Sequence, residues 1–353
     1  MKTTIINKSF KAAVLRNIGQ PLSVENVTFK SLGTGQVLVK VIYSGVCRSQ
    51  VMECDGGRGH DPWLPHLLGH EAVGQVVSVG ADVTKVKEQD VVVLTWINCT
   101  GREAETPLFF DSNENKINAG KVTTFAEYCI VGENKLFKKP QFFPDKIAVL
   151  LGCALRMGAG MVLNEIVPER NQKVAIIGLG GVGLSCLIAC LALGVSDITV
   201  FDISTKKLRL AEKLGASNIR NTAFINVDTF RNSFDICYEA AGRCETIEYG
   251  FSIIKETGTL LFASHPSNSE KIKLEPHELI KGKKIYGSWG GGGDAELTAK
   301  KLSNLLLTKK LDLSILLGKT YSIDQINEAL NDLRNGNERR PIIEFSSADN
   351  ANI

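Results

Sequence analysis

Residues 173–202 read KVAIIGLGGVGLSCLIACLALGVSDITVFD, and this stretch decides the fold of the central part of the chain. The apolar run after Lys173 predicts a buried strand, residues 182–193 predict a helix, and ITVFD predicts a second strand. A glycine-rich turn joins the first strand to the helix. The same alternation continues through the strands FDICYEA and TLLFA. Alternating strands and helices build a parallel sheet, so we predict a doubly wound α/β domain.

The glycine turn has the form G-x-G-x-x-G, in which the backbone can approach a pyrophosphate at a helix N-terminus. Asp202 ends the next strand, where its carboxylate can accept both ribose hydroxyls and repel a 2′-phosphate, which favours NAD over NADP. Two alternatives stay open: a turn that serves packing alone, and an Asp202 that only caps the helix opening at Ser204. Lys207 lies nearby and can temper the repulsion. The predicted cofactor-binding residues of this stretch are Gly178, Gly180, Gly181, Val182, Gly183, Asp202 and Lys207.

The first third of the chain has a different pattern of apolar and turn-forming residues. Short apolar runs such as VLVKVIYSG and EAVGQVVSVG alternate with Gly, Pro, Asn and Asp, which predicts an antiparallel β domain. After the central domain come two helical stretches and then PIIEF, a strand that can rejoin the first domain. A chain of 353 residues exceeds what one core usually organises. We predict a catalytic domain at 1–154, completed by 295–353, and a dinucleotide-binding domain at 155–294.

The amino-acid composition favours some classes of binding partner over others. The net charge is only +3, with 44% apolar and 22% charged residues, which argues against nucleic acid or an anionic membrane as the main partner and favours small molecules. We find no apolar run of membrane-spanning length and no secretory leader pattern. The nine cysteines are odd in number and follow no framework, which indicates reduced thiols in the cytoplasm.

Three separated segments offer metal ligands: Cys47 in SGVCRS, His70 in LLGHEAVG and Cys153 in LGCAL. A Cys, His, Cys set leaves the fourth tetrahedral position of zinc open for water or substrate, as in catalytic sites. Spacing alone does not unite the three. Cysteine is often a small buried hydrophobe and histidine a satisfied core residue, so the purely structural alternative stays open at this point.

The strings GVCRS, GHEAVGQVVSVG, LGC, GLGGVG with VFD, and DLRNGNERRPIIEF occur in the order found in zinc-containing medium-chain alcohol dehydrogenases. The chain resembles that family over nearly its whole length. The resemblance implies a GroES-like β catalytic domain, a Rossmann domain, and an active site in the cleft between them. It further implies hydride transfer between an alcohol, or its aldehyde or ketone, and NAD, and assembly as a homodimer or homotetramer.

The resemblance also implies roles for single residues, carried over by position. The zinc ligands would be Cys47, His70 and Cys153, with Glu71 a carboxylate next to the metal and Ser49 the hydroxyl that accepts the substrate proton. Arg48 and Arg340 would contact the cofactor pyrophosphate, and Trp96 would line the substrate pocket. For these last three, the alternatives are surface charges and an ordinary core tryptophan.

The chain departs from the family pattern at three places. Gln50 stands where an acidic residue usually orients the ligand histidine, which predicts weaker metal binding. Met52 replaces the usual relay histidine, for which His60, His66 and His265 are conceivable substitutes. The lobe after Trp96 carries only Cys99 instead of four cysteines, so we predict one zinc per chain. A zinc-free reductase and a non-catalytic dinucleotide-binding protein on the same scaffold are the competing hypotheses.

Overall fold

A computed structural model describes residues 9–224, 227–263, 266, 270–309 and 311–345. The chain forms two compact units. The first comprises 1–153, 294–296 and 316–353, and the second comprises 154–293 and 297–315. Among the described residues no single helix is long and apolar enough to cross a membrane, although one bent helix pair, Asp145–Gly152 with Ala154–Glu165, passes on length and composition alone.

The strands, in chain order, are β1 Phe10–Leu15, β2 Ser23–Val27, β3 Gln36–Gly45, β4 His66–Leu67, β5 Glu71–Val79, β6 Val91–Thr95, β7 Phe109–Phe110, β8 Lys116–Ile117, β9 Tyr128–Gly132, β10 Leu136–Lys138, β11 Lys173–Ile177, β12 Asp197–Asp202, β13 Asn218–Asn221, β14 Phe234–Glu239, β15 Ile254–Phe262, β16 Lys284–Gly287, β17 Thr320–Tyr321 and β18 Ile342–Glu344. The α-helices are α1 Arg48–Cys54, α2 Asp145–Ala148, α3 Ala154–Gly160, α4 Gly181–Leu193, α5 Thr205–Leu214, α6 Cys244–Ile253, α7 Pro276–Lys281, α8 Ala295–Leu306 and α9 Ile326–Arg334.

The second unit is built on a six-stranded parallel sheet with the order β13-β12-β11-β14-β15-β16. Strands β11, β12 and β14 are buried along almost their whole length, as expected for a parallel sheet covered on both faces. Strand β11 pairs with β12 on one side and β14 on the other, so the strand order reverses beside it. The glycine turn follows β11 at this switch point, where open α/β sheets bind ligands. The predicted doubly wound domain is confirmed.

The first unit is a β structure whose main sheet runs β10-β6-β5-β3-β18-β17, with β9 also paired to β3. Along β3, Val37, Val39 and Val41 point into one core cluster, while Leu38 points into another. Such alternation lets one strand serve two cores. The C-terminal strand β18 pairs antiparallel with β3, matching Ile342 with Gly45. The expected return of PIIEF to the first domain is therefore confirmed.

The two units differ from the sequence-based boundaries at residues 297–315, which group with the second unit. Most of α8 lies in this segment. The Asn164 amide donates to the Thr298 hydroxyl at 2.8 Å, and Lys301 donates to the Asn164 oxygen at 3.3 Å. These side-chain contacts, together with the buried Ala299, Leu302 and Leu306, attach the helix to the second unit. Sequence periodicity predicts the helix and carries no information about which unit receives it.

The lobe after Trp96 is fastened by charged side chains. Lys135 is only 8% exposed, and its ammonium donates to the Trp96 carbonyl oxygen at 2.8 Å and to the Asn98 side-chain oxygen. Lys85 donates to the carbonyl oxygens of Thr100 and Leu136, each at 2.9 Å. Burial lowers the pKa of Lys135. An ammonium group that donates to several loop oxygens can hold a loop in place, because each hydrogen bond satisfies a polar acceptor of the loop.

We expect Lys135→Met to lower the free energy of unfolding by about 1–3 kcal/mol, because it leaves two oxygen acceptors of the lobe without their donor. Urea denaturation measures the difference. Lys138→Met is the matched control: the Lys138 side chain is 55% exposed and forms a surface ion pair with Asp90, so its loss is expected to cost at most about 1 kcal/mol. Equal stabilities of the two variants would contradict the role given to Lys135.

Candidate metal centre and cofactor site

Cys47, His70 and Cys153 come together in the first unit. One ligand atom from each of the three lies within 4.8 Å of the others. Cys47 is the N-cap of α1, His70 directly precedes β5, and Cys153 follows a short 3-10 helix that ends at Gly152. A Cβ at Gly152 would collide with the Leu94 carbonyl oxygen, so only glycine lets this segment approach the sheet closely enough to present Cys153.

The three side chains have the chemistry of a metal-ligand set. The hydrogen bond from Cys153, with Arg340 and His70 nearby, holds the pKa of the Cys47 thiol well below its ordinary value in spite of burial. The Nε2 atom of His70 is buried and has no hydrogen-bond partner within the described part of the chain. Two cysteine sulfurs and a buried imidazole nitrogen that has no hydrogen-bond partner among the described residues fit zinc, which binds sulfur and nitrogen at such sites.

Gln50 lies behind this group and is 2% exposed. Its side-chain oxygen accepts the Cys47 backbone N–H at 2.9 Å, and its amide nitrogen lies 2.5 Å from His70 Nδ1. The sequence predicts that Gln50 is the neutral neighbour of the histidine, and the structure places it there. Ser49 is more distant, with its hydroxyl oxygen 3.5 Å from the same nitrogen.

Glu71 and Arg340 form an ion pair beside the group, with 2.9 Å between Glu71 Oε1 and Arg340 Nη1. Glu71 is fully buried and Arg340 is 6% exposed. Burial raises the pKa of Glu71, although the charges of Arg340 and His70 oppose the shift. The resemblance implies that Arg340 contacts the cofactor pyrophosphate, and that role stays a prediction; within the chain, its guanidinium pairs with Glu71. The reason is register: β18 pairs with the end of β3, so the segment just before β18 lies next to Val46 and Glu71.

Arg48 and Trp96 also have definite positions. The Arg48 guanidinium donates to the carbonyl oxygens of Leu333 and Arg334, both at 3.3 Å, at the C-terminal end of α9. Carbonyl groups at a helix end attract cations, so the end of α9 is a favourable partner for Arg48, and its contact with the cofactor stays a prediction. The Trp96 ring lies 6.4 Å from the His70 ring, measured between centroids, which puts an aromatic face next to the metal group.

The glycine turn of the second unit has the geometry that a dinucleotide needs. Gly178 has φ +86°, and a Cβ at Gly183 would collide with the Gly178 carbonyl oxygen, so both positions require glycine. A Cβ built on Gly180 would meet no other atom within 4 Å, so the backbone faces open space there. Gly181 and Val182 are the first two residues of α4, and both are partly exposed. The turn therefore presents an uncovered helix N-terminus to an anion.

Asp202 is held next to this turn. One of its carboxylate oxygens accepts the Leu179 N–H at 2.7 Å and the other accepts the Ser204 N–H at 2.8 Å. Lys207 Nζ lies 3.7 Å from Asp202. The N-cap of α5 is Ser204 and not Asp202. Through its two hydrogen bonds, Asp202 links the glycine turn to the start of α5.

Among the described residues, His60 and His66 lie outside the metal group. His66 pairs through Nε2 with Asp61 at 2.8 Å and faces the Leu67 carbonyl oxygen through Nδ1. Glu53, Asp61 and His66 have ligand atoms within 4.8 Å of one another, but Asp61 and His66 are already paired with each other by the 2.8 Å hydrogen bond. His60 is exposed, and His265 lies outside the described residues.

Comparison with known proteins places this geometry in a family. The model of the alcohol dehydrogenase GroES-like domain matches residues 33–141, and the model of the zinc-binding dehydrogenase domain matches residues 181–307. The chain belongs to the zinc-containing medium-chain dehydrogenases. Its two units are accordingly a GroES-like domain and a Rossmann domain.

Individual relatives of this dehydrogenase agree along nearly the whole chain. A zinc-binding domain protein of the alcohol dehydrogenase type from Burkholderia ambifaria has 27% identity and a TM-score of 0.89, covering 96% of this chain and 99% of its own. Benzyl alcohol dehydrogenase from Acinetobacter calcoaceticus has 27% identity and a TM-score of 0.86, covering 96% and 100%. Alcohol dehydrogenase 6 of Peromyscus maniculatus is 28% identical over 360 residues, 92% of this chain and 95% of that protein.

Membership makes the chain a zinc-dependent oxidoreductase that interconverts alcohols and carbonyl compounds with a nicotinamide cofactor. Two of the contacts above were not foreseen from the sequence. The pairing of Arg340 with Glu71 and the fastening of the lobe by Lys85 and Lys135 both join residues far apart in the chain. For the first, the sequence offered only an arginine just before the C-terminal strand, with no sign that it would be buried.

We expect Arg340→Met to destabilise the dehydrogenase by about 3–5 kcal/mol, because Glu71 would be left as an unpaired buried charge. The double variant Glu71→Gln/Arg340→Met is expected to recover a large part of that loss. Urea denaturation of the two variants and of the matched control Arg339→Met measures the coupling. Additive effects of the two substitutions would show that the pair does not act as a unit.

Proposed function

We propose that the chain is an NAD-dependent alcohol dehydrogenase with one catalytic zinc held by Cys47, His70 and Cys153. The observation that carries the proposal is the convergence of two thiols and a buried, unpartnered imidazole nitrogen, within 4.8 Å, on one place in the GroES-like domain. Three protein ligands leave one tetrahedral position for a substrate oxygen, which is the arrangement of catalytic zinc. Cys99 stands alone in its lobe, so a second cysteine-rich zinc site has no ligand set.

When bound, zinc supplies a Lewis acid that polarises the alcohol or carbonyl oxygen, and the nicotinamide ring supplies or accepts the hydride. The chain's own residues do the rest. The Ser49 hydroxyl oxygen lies 3.5 Å from His70 Nδ1. We infer from its place two residues after Cys47, as the resemblance implies, that this hydroxyl takes the alcohol proton. With Met52 at the usual relay position, we infer that the proton leaves Ser49 through water.

Glu71 and Arg340 set the charge beside the thiols. The Arg340 guanidinium is buried next to Cys47 and Glu71, and its positive charge favours the thiolate form of Cys47. We infer that Arg340 acts mainly at the metal group, through Glu71. A contact with the cofactor pyrophosphate remains part of the prediction for Arg48 and Arg340, although both guanidinium groups already have protein partners.

The preference for NAD is inferred from Asp202. Its carboxylate is fixed by two backbone N–H groups at the end of β12, where it meets the adenosine ribose in this class of fold. A negative charge there repels a 2′-phosphate. Lys207, 3.7 Å away, weakens that repulsion, so we expect a preference for NAD that still allows slow use of NADP. In this stretch the predicted dinucleotide-binding residues are Gly178, Gly180, Gly181, Val182, Gly183, Asp202 and Lys207.

The substrate is proposed as a class: a primary or secondary alcohol, or the matching aldehyde or ketone. Trp96 supports an apolar pocket, because its ring lies 6.4 Å from the His70 ring. Aromatic alcohols belong in the test set, since one of the similar structures is a benzyl alcohol dehydrogenase. A cytoplasmic location and a homodimeric or homotetrameric state stay predictions. Supporting the latter, β16 is an edge strand and Tyr286 on it is half exposed.

The assay measures formation of NADH or NADPH by the absorbance of the reduced nicotinamide at about 340 nm. The substrates are a panel of alcohols that includes polyols and benzyl alcohol. We expect NADH formation with at least one alcohol, about one zinc per chain by elemental analysis, and a roughly 100-fold or larger loss of kcat in Ser49→Ala with zinc retained. Cys47→Ser is expected to lose both zinc and turnover. Cys99→Ser is the matched control and is expected to keep both.

Full turnover in Cys47→Ser, or two zinc ions per chain, would overturn the assignment. Full turnover in Ser49→Ala with normal zinc content would remove Ser49 from the proton path and leave the metal assignment standing.

A further inference from the structure

Gln50 faces two groups that both require a hydrogen-bond acceptor once a metal is bound. The Cys47 backbone N–H is one of them, and it donates to Gln50 Oε1 at 2.9 Å. The other is His70: a neutral imidazole that gives its Nε2 to a metal carries its proton on Nδ1, which must then donate. Nδ1 lies 2.5 Å from the Gln50 amide group, and Gln50 is 2% exposed.

A glutamine amide has only one oxygen. In the observed arrangement that oxygen serves Cys47, so the NH₂ group faces His70 Nδ1 and can donate only if this nitrogen is bare. The proton of the imidazole then sits on Nε2, the atom that faces the thiols. Rotating the amide by 180° would satisfy Nδ1–H, but it would set the NH₂ group against the Cys47 N–H, donor to donor.

Among the described groups near His70 Nδ1, no other side chain is close enough to accept its proton in place of Gln50. The Ser49 hydroxyl oxygen is 3.5 Å away, which is too long for a good hydrogen bond. Water has little access, because the glutamine is buried. A carboxylate of the same length would behave differently, since its two oxygens accept from both donors at once.

We propose that Gln50 is a positioning residue that holds His70 in the Nε2–H tautomer in the metal-free chain and thereby weakens zinc binding. This inference rests on the proposed zinc ligands. On metal binding the imidazole keeps its one proton, which moves from Nε2 to Nδ1, and any thiol proton of Cys47 or Cys153 is released to solvent. One of the two Gln50 hydrogen bonds is then lost. The metal site of this dehydrogenase therefore exchanges zinc more readily than the same site with a carboxylate at position 50.

The first test is the zinc affinity of Gln50→Glu, which keeps the side-chain length and supplies the second oxygen. Competition with a chromogenic chelator is expected to show zinc bound about 10–100-fold more tightly than in the unsubstituted protein. Gln20→Glu is the matched control, because Gln20 is exposed in the same unit and its substitution adds the same charge. It is expected to leave the affinity unchanged.

The second test needs no substitution. Nitrogen-15 NMR of histidine-labelled protein distinguishes the two imidazole tautomers by the shifts of Nδ1 and Nε2. For His70 we expect protonated Nε2 in the metal-free chain and protonated Nδ1 in the zinc-loaded chain. In metal-free Gln50→Glu we expect protonated Nδ1 before any zinc is added.

The outcomes separate this inference from the proposed function. If the protein binds zinc through Cys47 and Gln50→Glu binds it no more tightly, or if metal-free His70 already carries its proton on Nδ1, the role of Gln50 is wrong and the zinc assignment stands. If neither protein binds zinc, the zinc assignment itself fails, and the role of Gln50 fails with it.

Discussion

The buried ion pair between Glu71 and Arg340 is the contact on which the metal group depends most. It joins the first residue of β5, next to His70, to the segment that precedes the C-terminal strand β18, 269 residues later in the chain. Burying two charges is costly, and the cost is offset only when the partners meet in good geometry. The pair therefore fixes the C-terminal segment against the metal group and places a positive charge beside the thiols of Cys47 and Cys153.

Much of the fold could be predicted from the sequence because its signals are local. The turn between β11 and α4 needs glycine at Gly178 and Gly183 for steric reasons, and the apolar strands around it follow from burial on both faces. The return of the C-terminal strand to the first domain was also predicted. The placement of 297–315 was not, since it depends on contacts such as that of Asn164 with Thr298, which join distant parts of the second unit.

In the candidate site, too, the sequence predicted which residues take part but not which atoms they contact. The sequence brought Cys47, His70 and Cys153 together only through resemblance, and the structure sets them within 4.8 Å of one another. It predicted that Gln50 neighbours the histidine, but it could not show which atom of the amide faces His70. The cofactor role of Arg340 stays a prediction from the resemblance, and the sequence did not show that strand register also brings its guanidinium to Glu71. Hydrogen-bond direction and register are tertiary properties, and residue spacing carries neither.

Family membership fixes the class of reaction, and the departures at Gln50, Met52 and the Cys99 lobe concern how this chain holds its metal and releases its proton. The most direct test of the account is X-ray absorption at the zinc edge of the purified, zinc-loaded protein. Two sulfur and two nitrogen or oxygen ligands, with zinc–sulfur distances of about 2.3 Å, are the result that the Cys47, His70 and Cys153 site predicts. A shell of four sulfur atoms, or one with no sulfur at all, would contradict it.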